Sequence, residues 1–194
     1  MAANWYEDQI QNNNYLSPIG FSFTLEKAPK ATFLAQTVQI PDISIGAVEV
    51  PTPFQRYPID GNFVYGDFSI EFLVDESLEN YLELHNWLRP LGVPYGYEER
   101  KKYEERVTTG REQVTNKFSD GTLTVLTNGM NSNFQVVFFD MFPVSLSTLE
   151  FDATLTDNNF FRARATFRYS LYELRNLNGQ RLTQAQWLPE GRSV

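Results

Sequence analysis

Between Phe63 and Leu91 the spacing of apolar residues changes from every second position to every third or fourth. That change predicts a strand running through a short acidic turn into an amphipathic helix. Phe63, Tyr65, Phe68, Ile70 and Phe72 carry the strand's apolar side chains, and Gly66-Asp67 interrupts the alternation where a bulge would shift the phase. Asp75 and Ser77 offer N-capping oxygens, and Glu76 and Glu79 place negative charge where the helix dipole favours it. Leu78, Tyr81, Leu82, His85 and Leu88 then fall three and four apart and predict the buried face. Glu79, Asn80, Glu83 and Asn86 lie largely on the other face, and Pro90 and Gly92 stop the helix.

The rest of the chain is mostly strand-like. Residues 1–18 form a polar arm with isolated anchors Trp5, Tyr6, Ile10, Tyr15 and Leu16; such an arm either docks on a neighbour or folds as a short helix on its own body. Ile19, Phe21, Phe23 and Leu25 alternate as a first strand, closed by the turn Lys27–Lys30. Thr32–Gln39 reads as a second strand ended by Ile40-Pro41. From Ile43 the chain runs extended through Pro51, Pro53 and Pro58 to a turn signal at Asp60-Gly61, and pairs with the strand that opens at Phe63. We read this stretch as a long exposed hairpin, with Val50, Phe54, Arg56, Tyr57, Ile59, Phe63 and Tyr65 as its contact residues. Prolines and charge on such an arm resist uncontrolled edge pairing while allowing pairing with another subunit; the alternative is an ordinary surface loop.

Beyond the helix, the run over residues 98–112 mixes five basic and five acidic side chains. It reads as a solvated helix or a mobile insertion, not as a nucleic-acid patch. Ser119–Gly121 predicts a turn into the strand Thr122–Leu126. Phe134–Phe142 is nearly continuously apolar, which predicts a central strand buried on both faces and ended by Pro143. In the last long strand Phe161, Ala163, Ala165, Phe167, Tyr169 and Leu171 alternate with Arg162, Arg164 and Arg168. Those arginines face solvent or acidic groups of a neighbour, with a phosphate-binding stripe as the lesser alternative. Residues 176–194 have little periodicity, and Leu182, Trp187 and Leu188 are their anchors.

Composition narrows the class. The 194 residues suffice for one domain, residues 19–175, between the arm and a C-terminal extension at 176–194. Sixteen Phe and ten Tyr favour β structure over a helical bundle. The absence of Cys rules out disulfides, zinc–thiolate sites and cysteine nucleophiles. No apolar run approaches the roughly 18 residues of a membrane span, and the first 18 residues do not read as a signal peptide, so we expect a soluble cytoplasmic product without membrane contact. A net charge of -8 opposes wrapping of nucleic acid but suits a surface past which nucleic acid must slide.

Candidate chemistry is sparse. His85 is the only histidine, and its place among apolar helix positions predicts a core or interface residue. With no second His and no Cys, zinc sites and Ser-His or Cys-His machinery lack their parts. Asp75-Glu76 is the first place to look for a paired-carboxylate glycan hydrolase on a small β-sandwich, although adjacent carboxylates at a strand-to-helix turn are better read as caps. We expect no enzyme, no cofactor and no metal.

Two blocks, taken in order, carry a resemblance. The first runs from Phe33–Gln36 through Ile40-Pro41, Val50-Pro51, Ile59–Gly61 and Phe68–Glu76 to Trp87. The second runs from Met141–Val144 through Leu149–Asp152 and Asp157-Asn158 along the alternating strand to Tyr172. Together they resemble the tail tube proteins of contractile-tailed bacteriophages. The resemblance implies a mainly β barrel or sandwich with one flanking helix, a long protruding hairpin and extended termini. It further implies hexameric rings whose hairpins reach adjacent subunits, stacked into a virion tube for DNA, with sheath and baseplate proteins as partners and assembly in the host cytoplasm. The same fold also builds baseplate, tube-initiating and neck rings. The aromatic arm, the 98–112 insertion and the C-terminal extension set this chain apart from the common tube subunit and keep those paralogues in competition.

Overall fold

The computed structural model describes residues 14–92, 96–98, 100–102, 117–154, 156 and 160–182. Its elements are β1 (Phe21–Leu25), α1 (Pro29–Phe33), β2 (Ala35–Val38), β3 (Ile43–Pro51), β4 (Arg56–Tyr65), β5 (Phe68–Leu73), α2 (Glu79–Gly92), β6 (Ser119–Leu126), β7 (Ser132–Leu146), β8 (Arg162–Arg168) and β9 (Leu171–Asn176). All strand pairs are antiparallel. The main sheet runs β1-β6-β7-β8-β5-β2 with β9 also on β7, and β3-β4 form a separate two-stranded sheet.

The main sheet folds over on itself along β7. Phe134–Phe139 of β7 pair with β9, whereas Phe142–Leu146 pair with β8. β8 and β9 are successive pieces of one strand broken at Tyr169-Ser170. The bend is built from side chains: Asp140 adopts φ 53°, its amide donates to the Asp120 carboxylate (3.2 Å), and Ser170 Oγ bonds the Asp140 carboxylate (3.0 Å). Asp tolerates this left-handed conformation better than most residues, which is why a polar residue can interrupt so apolar a strand.

Folding over encloses an aromatic core. The Phe68 ring lies 4.5 Å from Phe138, 5.0 Å from Phe23 and 6.2 Å from Phe167, all four side chains being buried. Burial of each contributes roughly 1.5–3 kcal/mol. Along β5 and β8 the alternation is as the sequence predicts: Phe68, Ile70 and Phe72 face Phe167, Ala165 and Ala163 inside, and Arg164 and Arg168 lie outside. Arg164 pairs with Glu71 of β5 and Arg168 with Asp67 just before it, so their charge is matched within the chain.

Several expectations are corrected. The buried face of α2 is Asn80, Leu84, Trp87 and Pro90, not the face holding Leu82 and His85, both of which are exposed. The helix is phased by its cap. The Asp75 carboxylate accepts from the Glu79 and Asn80 amides (3.2 and 3.1 Å). The buried Asn80 side chain donates to the Leu73 carbonyl at 2.7 Å and accepts from the Asp75 amide. A fully bonded Asn costs little to bury, so hydrophobicity alone misassigned the face. Pro90 lies within the last turn instead of ending it.

The Thr32–Gln39 strand is instead the end of α1 and β2, and α1 is a short helix that the sequence did not predict; Pro29 at its first turn favours it. Asp60-Gly61 lies inside β4, Ser119–Gly121 inside β6, and Pro143 inside β7, so none of these ends a strand. β7 buries mainly one face, with Val136, Phe138 and Met141 inside and Gln135, Val137 and Phe139 half-buried. Of the 98–112 run, residues 98 and 100–102 are helical and 99 and 103–112 lie outside the described residues.

Candidate assembly hairpin

The β3–β4 hairpin carries all seven predicted contact residues. Its turn is Thr52–Gln55, on the N-terminal side of the expected Asp60-Gly61: the Thr52 amide donates to the Gln55 carbonyl (3.0 Å), and the Gln55 amide donates to Thr52 Oγ1 (3.2 Å). Pro53, with φ already set for a turn's second position, leaves Phe54 at the tip, 99% exposed. The tip is therefore apolar and closed by hydrogen bonds between Thr52 and Gln55.

Below the tip, the register divides the hairpin into two unlike faces. Val50 pairs with Tyr57 and Val48 with Ile59, so these four exposed apolar side chains share one face. Glu49, Arg56, Pro58 and Asp60 share the other, where the Arg56 guanidinium bonds the Glu49 carboxylate at 2.9 Å. Both charged groups are solvated, so the pair contributes at most about 1 kcal/mol. Alternation of this kind normally hides the apolar face against a core; here both faces are exposed in the single chain.

A bulge separates this upper half from the root. Gly61 and Asn62 stand opposite Gly46, and a Cβ on Gly61 would lie 2.7 Å from the Gly46 carbonyl oxygen. The Asp60-Gly61 pair thus permits a close backbone approach; the same residues read alone resemble a turn. Below the bulge, Ile45 pairs with Phe63 and Ile43 with Tyr65. Phe63 packs edge-on against Tyr65 at 4.8 Å, and Tyr65 in turn contacts Tyr172 (5.4 Å) and Tyr169 (5.8 Å). Both tyrosines touch Phe138 of the core.

Sequence reasoning missed the residues that hold this root. The Tyr169 hydroxyl donates to the Gly66 carbonyl at 2.9 Å, where the chain leaves the hairpin, and the Tyr172 hydroxyl reaches the Pro41 carbonyl at 3.5 Å, where it enters. The Gly66 amide donates to the Asp42 carbonyl (2.9 Å), joining the two legs. Burial, with the Tyr172 and Tyr65 phenols and the Asp42 and Asp67 carboxylates nearby, pushes the Tyr169 phenol well above its ordinary pKa. Burial raises Tyr172 likewise. The available signal was the spacing of the two tyrosines: three residues apart, they cannot share one face of an unbroken strand.

The remaining predicted sites resolve simply. Tyr15 is exposed, and its carbonyl accepts from the Asn128 side chain at 3.0 Å; Trp5 and Tyr6, like Trp187 and Leu188, lie outside the described residues. The Asp75 carboxyl sits below the usual range because backbone amides, that of Asn80 foremost, bond it, which is the state of a cap. Among the described residues no cluster of three or more His, Asp or Glu is placed to hold a metal ion, and no helix is long and apolar enough to cross a membrane.

A family model described as "Phage tail tube protein" matches residues 2–175. No curated protein matches the chain. Among solved structures, a chain of an anti-feeding prophage tube-terminating cap is similar at TM-score 0.58 and 15% identity, over 91% of this chain and 99% of that one. A chain of the sheath–tube complex of an extracellular contractile injection system, PVC, in its extended state gives 0.57 and 14%, over 85% and 94%. A chain of the anti-feeding prophage baseplate gives 0.56 and 12%, over 85% and 97%. At these identities the structures establish the fold, and the family match, which takes in both the folded sheet and the hairpin, establishes kinship. The chain belongs to the phage tail tube protein family and is a structural component of the phage tail, not an enzyme.

Proposed function

We propose that the chain assembles as hexameric rings of the inner tube of a contractile tail, with each hairpin laid on a neighbouring copy and the stacked rings enclosing a passage for DNA. The observation that carries this reading is the apolar face of Val48, Val50, Tyr57 and Ile59, exposed on a hairpin that is hydrogen-bonded to the body at its root. A side-chain set of that kind is stable in solution chiefly when another surface covers it. The net charge of -8 supports a bore to which DNA does not adhere. Sheath subunits outside the tube and a baseplate at its end are the partners this role entails, with assembly in the host cytoplasm.

A second reading is a ring at one end of the tube, in the baseplate or at the terminus. Cap, tube and baseplate chains are similar to this chain to nearly the same degree, 0.56–0.58. Negative-stain microscopy of the purified protein tests both. Long tubes support the tube subunit, isolated rings or short stacks support an end ring, and a strictly monomeric species by light scattering over a wide concentration range refutes both.

A further inference from the structure

We propose that Trp5 and Tyr6 of one copy seat on either side of Phe33 of an adjacent copy, so that the N-terminal arm is a second connection between copies, independent of the hairpin. The inference rests on the self-assembly proposed above. Phe33, at the end of α1, is 86% exposed although it is flanked by apolar surface. On one side is a cavity of about 440 Å³ bounded by β1, Phe21–Leu25 with the hydroxyls of Ser22 and Thr24 among them, and by Pro29, Thr32, Phe33 and Ala35. On the other is a cavity of about 430 Å³, bounded by Pro29, Phe33 and Leu34 with Lys30, Asp75 and Glu79. Two aromatic-sized hollows therefore meet at a single ring.

The arm matches this arrangement. Consecutive residues of an extended segment project to opposite sides, so Trp5 and Tyr6 can straddle one ring and place a side chain in each hollow. β1 also forms the wall of the first cavity and, among the described residues, is hydrogen-bonded to a strand, β6, on one side, which leaves an edge against which an extended arm can lie. The direction of the chain selects the recipient. The Gly20 carbonyl accepts from the Leu126 amide, and the Tyr15 carbonyl from Asn128, so the chain leaves past the β6–β7 turn. The cavity runs the other way, beside β1 toward Leu25. Filling its own cavity requires the arm to reverse, whereas the cavity of an adjacent copy placed ahead of it would need no reversal. The eight residues from Asn14 back to Tyr6 reach about 27 Å when extended.

The chain has no cysteine, which makes a cross-linking test clean. Copies carrying Tyr6→Cys are mixed with copies carrying Thr24→Cys, a residue exposed on β1 and lining the first cavity, and oxidised mildly under assembling conditions. The expected result is a disulfide between the two copies at a yield about tenfold or more above that of Tyr6→Cys with Ser145→Cys, because docking raises the effective concentration of the thiols. Adding Phe33→Asp to the Thr24→Cys copy should abolish that excess while leaving the far-ultraviolet circular dichroism unchanged. A yield no greater than the control, with light scattering showing normal assembly, overturns the arm contact and leaves the hairpin reading standing. No assembly at all overturns both. A chain carrying both cysteines that closes within itself at high dilution also overturns the inference, since the arm then serves its own body.

Discussion

Replacing Tyr169 with Phe isolates the clamp at the root of the hairpin. The ring contacts with Phe138 (5.1 Å), Tyr65 (5.8 Å) and Tyr172 (6.1 Å) survive, and only the 2.9 Å hydrogen bond to the Gly66 carbonyl is removed. A bond of this kind contributes about 1 kcal/mol net, rising to about 1–3 kcal/mol if the carbonyl is left without a partner. The expected loss is near the lower figure, because the site is only half-buried and water can reach the carbonyl. Since 1 kcal/mol corresponds to about a fivefold change in an opening equilibrium, native-state hydrogen exchange at the Gly66 amide, which bonds Asp42, should quicken by about that factor. Exchange at Val136 and Phe138 should change less. The raised phenol pKa gives a second signature. A proton held more tightly in the folded state contributes stability that is fully present below the unfolded phenol value of about 10 and is lost as pH rises through the folded value. Unfolding by guanidinium should therefore show the parent losing stability above about pH 10, and the Phe variant losing less. Equal acceleration of exchange at Gly66 and in the core would show that Tyr169 is simply a core residue, and unchanged exchange with an unchanged alkaline slope would refute the clamp altogether.

Other substitutions separate the hairpin from the core. Tyr57→Asp should leave unfolding free energy within about 0.5 kcal/mol, as for most exposed positions, while reducing polymerisation measured by light scattering; normal tubes would remove the apolar face from the assembly contact. Gly61→Ala should disturb the hairpin more than Gly66→Ala, because its new Cβ meets the Gly46 backbone carbonyl whereas the contact at Gly66 is with the Asp42 side chain, which can swing away. Amide chemical shifts of β3 and β4 read the difference, and the reverse order would refute the bulge argument. Asn80→Ala should destabilise by about 1–3 kcal/mol, since it leaves the Leu73 carbonyl and the Asp75 amide without their side-chain partner. His85→Ala should be nearly neutral in thermal unfolding, and a large loss there would restore the helix face read from the sequence.

That last contrast shows where a sequence is legible and where it is not. The alternation in β5 and β8 reads correctly because both strands bury one face against a single core, so hydrophobicity and burial coincide residue by residue. In α2 they part: Asn80 is only 2% exposed because its amide bonds are satisfied by Leu73 and Asp75, and Leu82 is left outside. Asp60-Gly61 fails for a related reason. A dipeptide suited to a turn is equally suited to a bulge, and the choice was made by Thr52, whose hydroxyl and backbone close the turn elsewhere. The hairpin itself was legible because large apolar side chains between prolines conflict with burial in a compact core, and those side chains are exposed. Its anchorage was not, because Tyr169 and Tyr172 act across 103 and 131 residues of chain, through a break in a strand that looks continuous. The distinction has a consequence for related chains. On the proposed reading the hairpin face meets a neighbouring copy, whereas the tyrosines hold the fold, so the hairpin-face residues should vary together with their contact surface while the tyrosines tolerate exchange only for another residue that can reach Pro41 and Gly66.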